Sequence, residues 1–452
     1  MKIIVAGYGN VGSSIAKKLT MEGHDVTVID NNEKKIHEVS ETFDTMAVVG
    51  SAANLEVLKD AGIDNADLLI AVTDSDERNL LSCLIAKKCG CKNTIARVRN
   101  PELSGGINVI KDDLKLSLVV NPELSVAEEI ARLLKFPAAI EIDTFAKEKV
   151  ELLKFELTEA SPLNGVALRD LPKEIKNKTL ICIVERGQEI SIPSGDFVLM
   201  AGDKISVVTA PKQAYAFFKE ANINRGKARN CMIIGGGVTS VYLAEMLISE
   251  GVSVKIVEKN KARCDYLAER LPGAIVIWGD GADKDLLAEE GVDKMDGFVS
   301  LTEHDEENVM MSIYCKKKSP NAKVITKVHR SAYDEIITDL NIGSIVNPKL
   351  LTAEYIVKYV RSTSNLQSGS MEALYMISSG KAEAIEFKAK EDERITGIPI
   401  KDLLLKDNVL VACIIHNKKV EIPNGQSVIA NGDSVIVVTT ETGFEELADI
   451  LK

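Results

Sequence analysis

The stretch that decides the fold lies at the start of the chain and reads IIVAGYGNVGSSIAKKLTMEGHDVTVID from Ile3 to Asp30. Its apolar beginning predicts a β-strand, residues 7–12 predict a tight turn, residues 13–21 a helix, and residues 26–29 a second, β-branched strand. Strand, glycine turn, helix and strand in this order are typical of a βαβ unit with parallel strands. The sequence therefore predicts a Rossmann-like beginning.

The turn has glycines with the spacing G-x-G-x-x-G, and an acid follows at the end of the next strand. Gly7 permits the tight turn, Gly9 lets the backbone approach a pyrophosphate, and Gly12 lets helix and strand pack closely. Asp30 can accept hydrogen bonds from ribose hydroxyls and would repel a 2′-phosphate. The pattern predicts a site for NAD(H) or an adenine nucleotide. The alternative is a turn built around an empty site.

The whole chain is an internal duplication. The opening stretch returns as MIIGGGVTSVYLAEMLISEGVSVKIVE from Met232, and TDSDERN from Thr73 returns as TEHDEEN from Thr302. The distance along the chain between the two copies is far longer than a solenoid repeat, so a pair of domains has been duplicated. In the second copy Ser240 takes the place of the third glycine and Glu258 replaces the acid. A weaker second site is expected there, with an empty site as the alternative.

The sequence of each half predicts two different modules. Short apolar runs at 47–49, 68–72, 94–98 and 118–120 alternate with helical stretches, which favours a parallel sheet covered on both faces. Runs at 179–185, 189–192 and 204–209 are separated by turn residues and predict a small α+β module. The predicted fold class is α/β, with two tandem doubly wound parallel sheets, each followed by a small α+β domain. The predicted domains are 1–137, 138–222, 228–362 and 370–452, with a linker at 221–230 that contains Gly226.

Composition narrows the class of protein. Hydrophobic residues make up 45% of the chain and charged residues 27%, which indicates a folded protein, and the net charge of −12 argues against nucleic acid or an anionic membrane surface as partner. No apolar run is long enough to cross a bilayer, so we expect a cytoplasmic protein. Most of the eight cysteines lie in apolar stretches, which favours buried thiols over a metal or redox role.

Two further polar positions follow predicted strands. Thr73 lies at the end of a strand, where doubly wound sheets bind ligands, and a helix N-cap is the alternative role, compatible with the first. Arg97 is expected to reach a phosphate at the sheet edge, and a surface ion pair is the alternative. The second half has Lys327 and His329 where the first has Arg97 and Arg99, so positive charge remains there without the bidentate guanidinium.

At this point the sequence resembles the TrkA family, in which each half of the chain is an RCK N-terminal (Rossmann) domain followed by a small RCK C-terminal domain. The resemblance covers essentially the whole chain. It rests on VAGYGNVG, VVGSAAN, AVTDSDERN, ARVRNPE, VVNPELSVAEEIARLL, FELTEASPLNG and IPSGDFVLMAGD with their second copies. The first copy departs from the family pattern at residues 50–52, where the second copy keeps Gly279-Asp280-Gly281.

The resemblance implies a cytosolic regulatory protein that forms a homo-oligomeric ring and docks on the inner face of a potassium-translocating membrane subunit of the Trk type. It implies NAD(H), ATP or ADP as regulatory ligands, without direct lipid insertion or nucleic-acid binding. A helix over 125–134 would pack on a neighbouring Rossmann domain, or alternatively within its own. The implied ligand contacts are Gly7, Tyr8, Gly9, Asn10, Val11, Gly12, Asp30, Ser51, Thr73, Asp74 and Arg97, and in the second copy Gly235, Gly236, Gly237, Val238, Thr239, Glu258, Asp280 and Thr302.

Two other classes of function compete with this interpretation. An NAD-dependent oxidoreductase needs a positioned general acid or base, and none of the five histidines has an evident partner for proton transfer in the sequence. We therefore predict that the chain is not an enzyme and has no catalytic residues or metal ligands. A sensor without a channel partner is the third class, since RCK modules are reused, but no DNA-binding segment is visible to favour it.

Overall fold

The computed structural model describes residues 1–42, 45–100, 106, 111–146, 149–172, 175, 179–222, 228–329, 340, 342–365, 370–378, 381–392, 394–417 and 419–452. The chain forms two compact units. One contains Met1–Ala131 and Arg229–Val357, and the other contains Arg132–Ala228 and Lys358–Lys452. Gly226 of the predicted linker lies outside the described residues.

The first half opens with a six-stranded parallel sheet in the order β3-β2-β1-β4-β5-β6. Four of the five residues of the first strand are buried, as expected for a strand with helices on both faces. The strands are β1 Lys2–Ala6, β2 Asp25–Asp30, β3 Met46–Val49, β4 Leu68–Ala71, β5 Asn93–Arg97 and β6 Leu118–Val120. The helices are α1 Asn10–Met21, α2 Glu33–Thr42, α3 Leu55–Asp60, α4 Asp76–Lys88 and α5 Pro122–Lys135.

A five-stranded antiparallel sheet follows in the order β10-β9-β11-β8-β7, and one helix comes after its last strand. Its elements are β7 Glu141–Phe145, β8 Val150–Glu156, β9 Thr179–Arg186, β10 Glu189–Ser191, β11 Lys204–Thr209 and α6 Pro211–Glu220.

The second half repeats both sheets with the same strand order. Its parallel sheet contains β12 Asn230–Ile234, β13 Ser253–Glu258, β14 Ala274–Trp278, β15 Gly297–Ser300, β16 Lys323–Lys327 and β17 Ser344–Val346, with helices α7 Val238–Ser249, α8 Lys261–Arg270, α9 Lys284–Glu289, α10 Asp305–Lys318 and α11 Pro348–Asn365. Its antiparallel sheet contains β18 Met371–Ile377, β19 Ala382–Lys388, β20 Val409–His416, β21 Lys419–Glu421 and β22 Ser434–Thr439, and a short 3-10 helix, Leu447–Ile450, follows. The predicted fold class is confirmed.

Two helices begin earlier than the sequence predicts. The first, α1, starts at Asn10 and not at Ser13, because Gly9 is extended and serves as its N-cap. Helix α5 starts at Pro122 and not at Ser125. Asn121 caps it, since Asn121 Oδ1 accepts from the Leu124 N–H at 3.0 Å, and proline is favoured at the first helical position.

The two Rossmann domains contact each other within the first unit, where the helices after Asn121 and Asn347 begin. Asn121 Nδ2 donates to the hydroxyl of Tyr242 on α7 at 3.0 Å. Asn347 takes the corresponding place in the second copy, and its buried Nδ2 has no hydrogen-bond partner among the described residues. Ser14 of α1 stands where α7 has Tyr242. The contact between the domains is therefore not symmetric.

In the second unit, one cluster of buried apolar residues contains side chains of both antiparallel sheets. The ring of Phe145 meets that of Tyr375 edge-on, with centroids 4.4 Å apart. Burial raises the pKa of the Tyr375 hydroxyl well above its usual range. The two small modules of the chain thus share one hydrophobic core.

Seven of the eight cysteines are buried, as the apolar surroundings predict. Burial raises the pKa of the Cys315 thiol to about 12, which keeps it protonated at neutral pH. No described helix is long and apolar enough to cross a membrane.

Candidate functional site

A cleft of about 330 Å³ opens in the first Rossmann domain at the carboxyl ends of β1 and β4, where the strand order reverses. Most of the residues predicted for this site line it, but Tyr8 and Gly12 do not. The predicted residues in its wall are Gly7, Gly9, Asn10, Val11, Asp30, Ser51, Thr73, Asp74 and Arg97. The structure therefore gathers nine of the eleven predicted residues around one cleft.

The three glycines of the turn have different steric surroundings. A Cβ on Gly7, whose φ is +101°, would lie 2.9 Å from the backbone nitrogen of Thr73. A Cβ on Gly12 would lie 1.8 Å from the carbonyl oxygen of Gly7. A Cβ on Gly9 would have no atom within 4 Å. Gly7 and Gly12 are thus required by packing, and Gly9 alone leaves open space in the cleft.

The Asp30 carboxylate is held by the backbone on both sides. It is 9% exposed, and it accepts from the Tyr8 N–H at 2.6 Å and from the Asn32 N–H at 2.9 Å. An ionised carboxylate offers about four acceptor positions. These two bonds fix its orientation and leave acceptor capacity for ribose hydroxyls. Tyr8 contributes through its backbone and not through the cleft wall.

A buried asparagine that the sequence interpretation missed ties the strand ends together. Asn79 of α4 is fully buried, and its Oδ1 accepts from the Thr73 N–H at 2.8 Å and from the Thr73 hydroxyl at 2.7 Å. Its Nδ2 donates to the Arg97 carbonyl at 2.9 Å. Thr73 therefore lines the cleft and is tied to α4 through Asn79. It is not the N-cap of α4, because Ser75 holds that position and its hydroxyl accepts from the Arg78 N–H at 3.1 Å. The signal was present, because TDSDERN and TEHDEEN both end in asparagine.

Arg97 lines the cleft, and its neighbour Arg99 is engaged elsewhere. Burial, together with the positive charge of Arg99, lowers the pKa of Arg97. Arg97 donates to the Thr73 carbonyl, while its buried Nε has no hydrogen-bond partner among the described residues. The Arg99 guanidinium donates to the Asp74 carbonyl, lies 3.8 Å from Asp76 Oδ1 and does not line the cleft. Arg97 is thus the arginine of this pair that a phosphate in the cleft could meet.

A second cleft of about 390 Å³ occupies the same place in the second Rossmann domain. Its wall contains six of the predicted residues, Gly235, Gly236, Gly237, Glu258, Asp280 and Thr302, whereas Val238 and Thr239 lie outside it. Glu258 repeats the arrangement of Asp30, because it accepts from the Gly236 N–H and from the Asn260 N–H, both at 2.7 Å.

The second cleft also repeats the buried asparagine tie. Asn308 Oδ1 accepts from the Thr302 N–H at 3.0 Å, and Asn308 Nδ2 donates to the Lys327 carbonyl at 3.0 Å. Ser240, in place of the third glycine, is fully buried, and its hydroxyl donates to the Gly235 carbonyl. The backbone frame of the first cleft is therefore kept, and the serine is accommodated by a hydrogen bond.

Several charged residues in the two walls were not predicted. In the first cleft they are Lys35 and Arg78. In the second they are Lys259, Arg263, Glu303 and Glu307. All of them lie in or next to helices that follow the strand ends, and Arg78, Glu303 and Glu307 belong to the motifs TDSDERN and TEHDEEN, of which only the first residues were assigned to the sites. Their position within about two helical turns of the strand ends is the signal that would have found them.

Two histidines have carboxylate partners that the sequence did not reveal. His329 Nδ1 lies 3.0 Å from Asp305 Oδ1, and His416 Nδ1 lies 2.6 Å from Asp433 Oδ1. Neither histidine lines a cleft, whereas His304 lines the second one. Among the residues that the structure describes, no group of three or more His, Cys, Asp or Glu side chains could hold a metal ion.

Comparison with known proteins identifies the family. The TrkA-N domain model matches residues 3–122 and 231–348, and the TrkA-C domain model matches residues 152–222 and 384–452. The Trk system potassium uptake protein TrkA homolog of Archaeoglobus fulgidus is 33% identical over 452 residues, covering 100% of both chains. The Trk system potassium uptake protein TrkA of Vibrio alginolyticus is 32% identical over 445 residues, covering 97% of this chain and 95% of the relative.

Solved structures share the fold at low sequence identity. The GsuK RCK domain superposes with a TM-score of 0.63 at 16% identity, covering 97% of this chain and 92% of that one. The GsuK channel bound to NAD gives a TM-score of 0.64 at 16% identity, covering 97% and 77%. Matches of the TrkA-N and TrkA-C models in both halves and full-length relatives place this chain in the TrkA family of Trk potassium uptake proteins.

Proposed function

We propose that this chain is the nucleotide-binding regulatory subunit of a Trk-type potassium uptake system and controls potassium flux through a membrane subunit. Membership of the TrkA family supports the role in potassium transport. The observation that carries the ligand class is the arrangement of the glycine turn, the N-terminus of α1 and the backbone-held Asp30 around one cleft. The ligands are NAD(H), ATP or ADP, and NAD and ADP are named in GsuK structures of the same fold.

In the proposed complex the turn holds the phosphates and the acid holds a ribose. The backbone of residues 7–11 and the positive end of α1 face the phosphates, and Arg97 adds a full positive charge beside Thr73 and Asp74. Asp30 accepts from ribose hydroxyls with its remaining lone pairs. The turn at 235–237, with Glu258, Asp280 and Thr302, takes the same roles in the second cleft.

The proposed mode of action is a change of shape and not a chemical step. A homo-oligomeric ring of these chains docks on the cytosolic face of the membrane subunit, and nucleotide shifts the ring between two shapes. A ligand moves such an equilibrium only by its differential affinity for the two shapes. The domains proposed to build the ring keep the boundaries 1–137, 138–222, 228–362 and 370–452. Catalysis has no part in this proposal.

Asp30 gives the direct test. The variant Asp30→Asn keeps the size of the side chain and one acceptor oxygen, so it preserves more of the turn than alanine, which would leave the Tyr8 and Asn32 N–H groups unpaired. A hydrogen bond to a charged group contributes about 1.5–3 kcal/mol. Calorimetry should therefore show affinity for ATP or NADH at this site reduced by about tenfold or more.

Asp25→Asn provides the control, because Asp25 is exposed at the opposite end of the same strand. It should leave affinity unchanged. If Asp30→Asn keeps the wild-type melting temperature and also keeps wild-type affinity for both nucleotides, the assignment of this cleft as the first binding site is wrong.

A further inference from the structure

The two clefts share one backbone frame but differ in charge where the strand ends meet the following helices. Thr73 and Thr302 occupy the same position, and each is tied by a buried asparagine with nearly equal distances. Positions after these threonines therefore correspond one to one. Differences in the side chains at these positions are therefore not required by a difference in the backbone frame.

The largest difference is a reversal of charge on the helix that follows this threonine. Arg78 lies in the first turn of α4, lines the first cleft and has its Nη1 3.1 Å from Asp74 Oδ1. The corresponding residue of α10 is Glu307, which lines the second cleft. The position of Asp74 is kept acidic by Glu303. The second cleft thus has two carboxylates where the first has a cation and a carboxylate.

The cation on the next strand is also lost from the second cleft. Arg97 lines the first cleft with a buried Nε that has no hydrogen-bond partner among the described residues. Its counterpart Lys327 is buried, is absent from the lining of the second cleft, and places its Nζ 3.2 Å from Glu303 Oε1. Lys327 therefore neutralises a neighbouring carboxylate and not a ligand.

The cations that the second cleft keeps are on its other side. Arg263 lies on α8, the helix that follows the strand ending at Glu258, and its Nε–H donates to the Gly236 carbonyl at 2.6 Å. Lys259 directly follows Glu258. Among the described lining residues, the first cleft has three cations and two carboxylates, whereas the second has two cations and four carboxylates. Positive charge in the second cleft is confined to the ribose end.

We propose that the two clefts select different nucleotides: the first takes adenine nucleotides with terminal phosphates, and the second takes a dinucleotide of the NAD(H) type. This inference rests on the proposed function, in which both clefts bind nucleotides. A terminal phosphate at the second cleft would meet Glu307, which repels it, at the position where the first cleft has Arg78. The second ribose of a dinucleotide instead offers hydroxyl donors to carboxylates. The determinant is the pair of positions 78 and 307.

The size of the effect follows from Coulomb's law. Two unit charges 4 Å apart change binding by about fivefold in bulk water and by several hundredfold at the effective dielectric near a protein surface. Both side chains are partly solvent-accessible, which favours the lower part of this range. Reversing a charge replaces attraction by repulsion and changes this energy twice over, so we expect a change of about 25-fold in affinity for ATP when either charge is reversed.

The test uses the full-length chain with one cleft weakened at a time. Asp30→Asn weakens the first cleft and Glu258→Gln the second by about tenfold or more, and calorimetry in magnesium-free buffer measures ATP and NADH at the other cleft. In the Asp30→Asn background, Glu307→Arg should raise affinity for ATP about 25-fold and should lower affinity for NADH, because the carboxylate that accepts from the second ribose is lost. In the Glu258→Gln background, Arg78→Glu should lower affinity for ATP by a similar factor. Glu289→Arg, an exposed charge change on α9 outside the cleft, is the control.

A second measurement needs no charge reversal. In the series ATP, ADP and AMP, affinity should fall at the first cleft as phosphates are removed and should rise at the second. If both clefts bind nucleotide but show the same order in this series, and the charge reversals leave the ratio of ATP to NADH affinity unchanged, the selectivity is wrong while the proposed function stands. If neither Asp30→Asn nor Glu258→Gln weakens nucleotide binding, the proposed function itself fails.

Discussion

Replacing Gly12 by alanine should lower the stability of the first Rossmann domain even in the absence of ligand. The new Cβ would lie 1.8 Å from the carbonyl oxygen of Gly7, and this atom belongs to the backbone, so no side-chain rotation can relieve the clash. A normal contact is about 3.5 Å. Helix α1 must therefore move away from β1, and the packing of the buried Ile15 and Leu19 is loosened.

The magnitude follows from two opposing contributions. Overpacking of a well-packed region costs about 1–3 kcal/mol. Alanine in a helix is favoured over glycine by about 1 kcal/mol. The difference is about 0–2 kcal/mol, and because the clash is with a backbone atom we expect Gly12→Ala to lower the free energy of unfolding by about 2 kcal/mol, the upper end. In a domain of this size each kcal/mol lowers the melting temperature by about 2–4 °C. Differential scanning calorimetry of the ligand-free chain measures this change.

Gly9→Ala is the matched control. It adds the same methyl group to the same turn, but no atom lies within 4 Å of the new Cβ, and φ at Gly9 is −83°. Its melting temperature should stay close to that of the wild type, while its nucleotide affinity falls because the methyl group points into open space next to the ligand. If Gly12→Ala melts at the wild-type temperature, the steric reasoning for the third glycine is wrong.

Three further predictions concern a hydrogen bond within a domain, a hydrogen bond between the domains, and the coupling of nucleotide binding to docking. Asn79→Ala should lower the free energy of unfolding by about 1–3 kcal/mol for each buried group that it leaves unpaired, measured by thermal unfolding, and a neutral effect would mean that the strand ends are held by other contacts. Tyr242→Phe should cost about 1 kcal/mol through the lost bond to Asn121, whereas the exposed Tyr266→Phe should cost nothing measurable; equal effects would contradict the role of this bond. Docking on the membrane subunit should change nucleotide affinity by the same factor by which nucleotide changes docking, about 5- to 150-fold for typical coupling. Equal affinity of ATP and ADP for the free and the docked chain, with flux that still responds to them, would exclude the population-shift mechanism.

The sequence predicts the parallel sheets well because several local signals agree with the long-range order. The apolar runs predict the strands, the glycine turn predicts the connection from strand to helix, and Asp30 marks the end of the second strand of the βαβ unit. The duplication repeats these signals in the second half of the chain. Helix starts were less accurate. They depend on caps such as Asn121. An asparagine can form either a turn or a helix N-cap, and only the proline that follows it indicates that a helix begins here.

Site residues whose positions are set by backbone geometry were predicted from the sequence. Residues whose contacts depend on the packing of side chains from different elements were missed. Gly7 and Asp30 are fixed by the turn itself, so their roles follow from spacing. Asn79 lies six residues after Thr73, and its contact with the Arg97 carbonyl spans two elements that no local pattern connects. Lys327 was expected to keep positive charge at the second site, but its ammonium group is paired with Glu303, a choice that depends on the packed side chains.

The unequal contacts of Asn121 and Asn347 have a consequence for how such a protein can change over evolutionary time. In a symmetric dimer of single-copy chains, every substitution at the interface occurs twice, because the same residue serves both sides of the two-fold axis. Fusion of the two copies removes that constraint. Here Asn121 bonds the hydroxyl of Tyr242, whereas Asn347 Nδ2 has no partner among the described residues and the residue that corresponds to Tyr242 is Ser14. The two sides of the contact can therefore differ, which a symmetric dimer of identical chains does not allow.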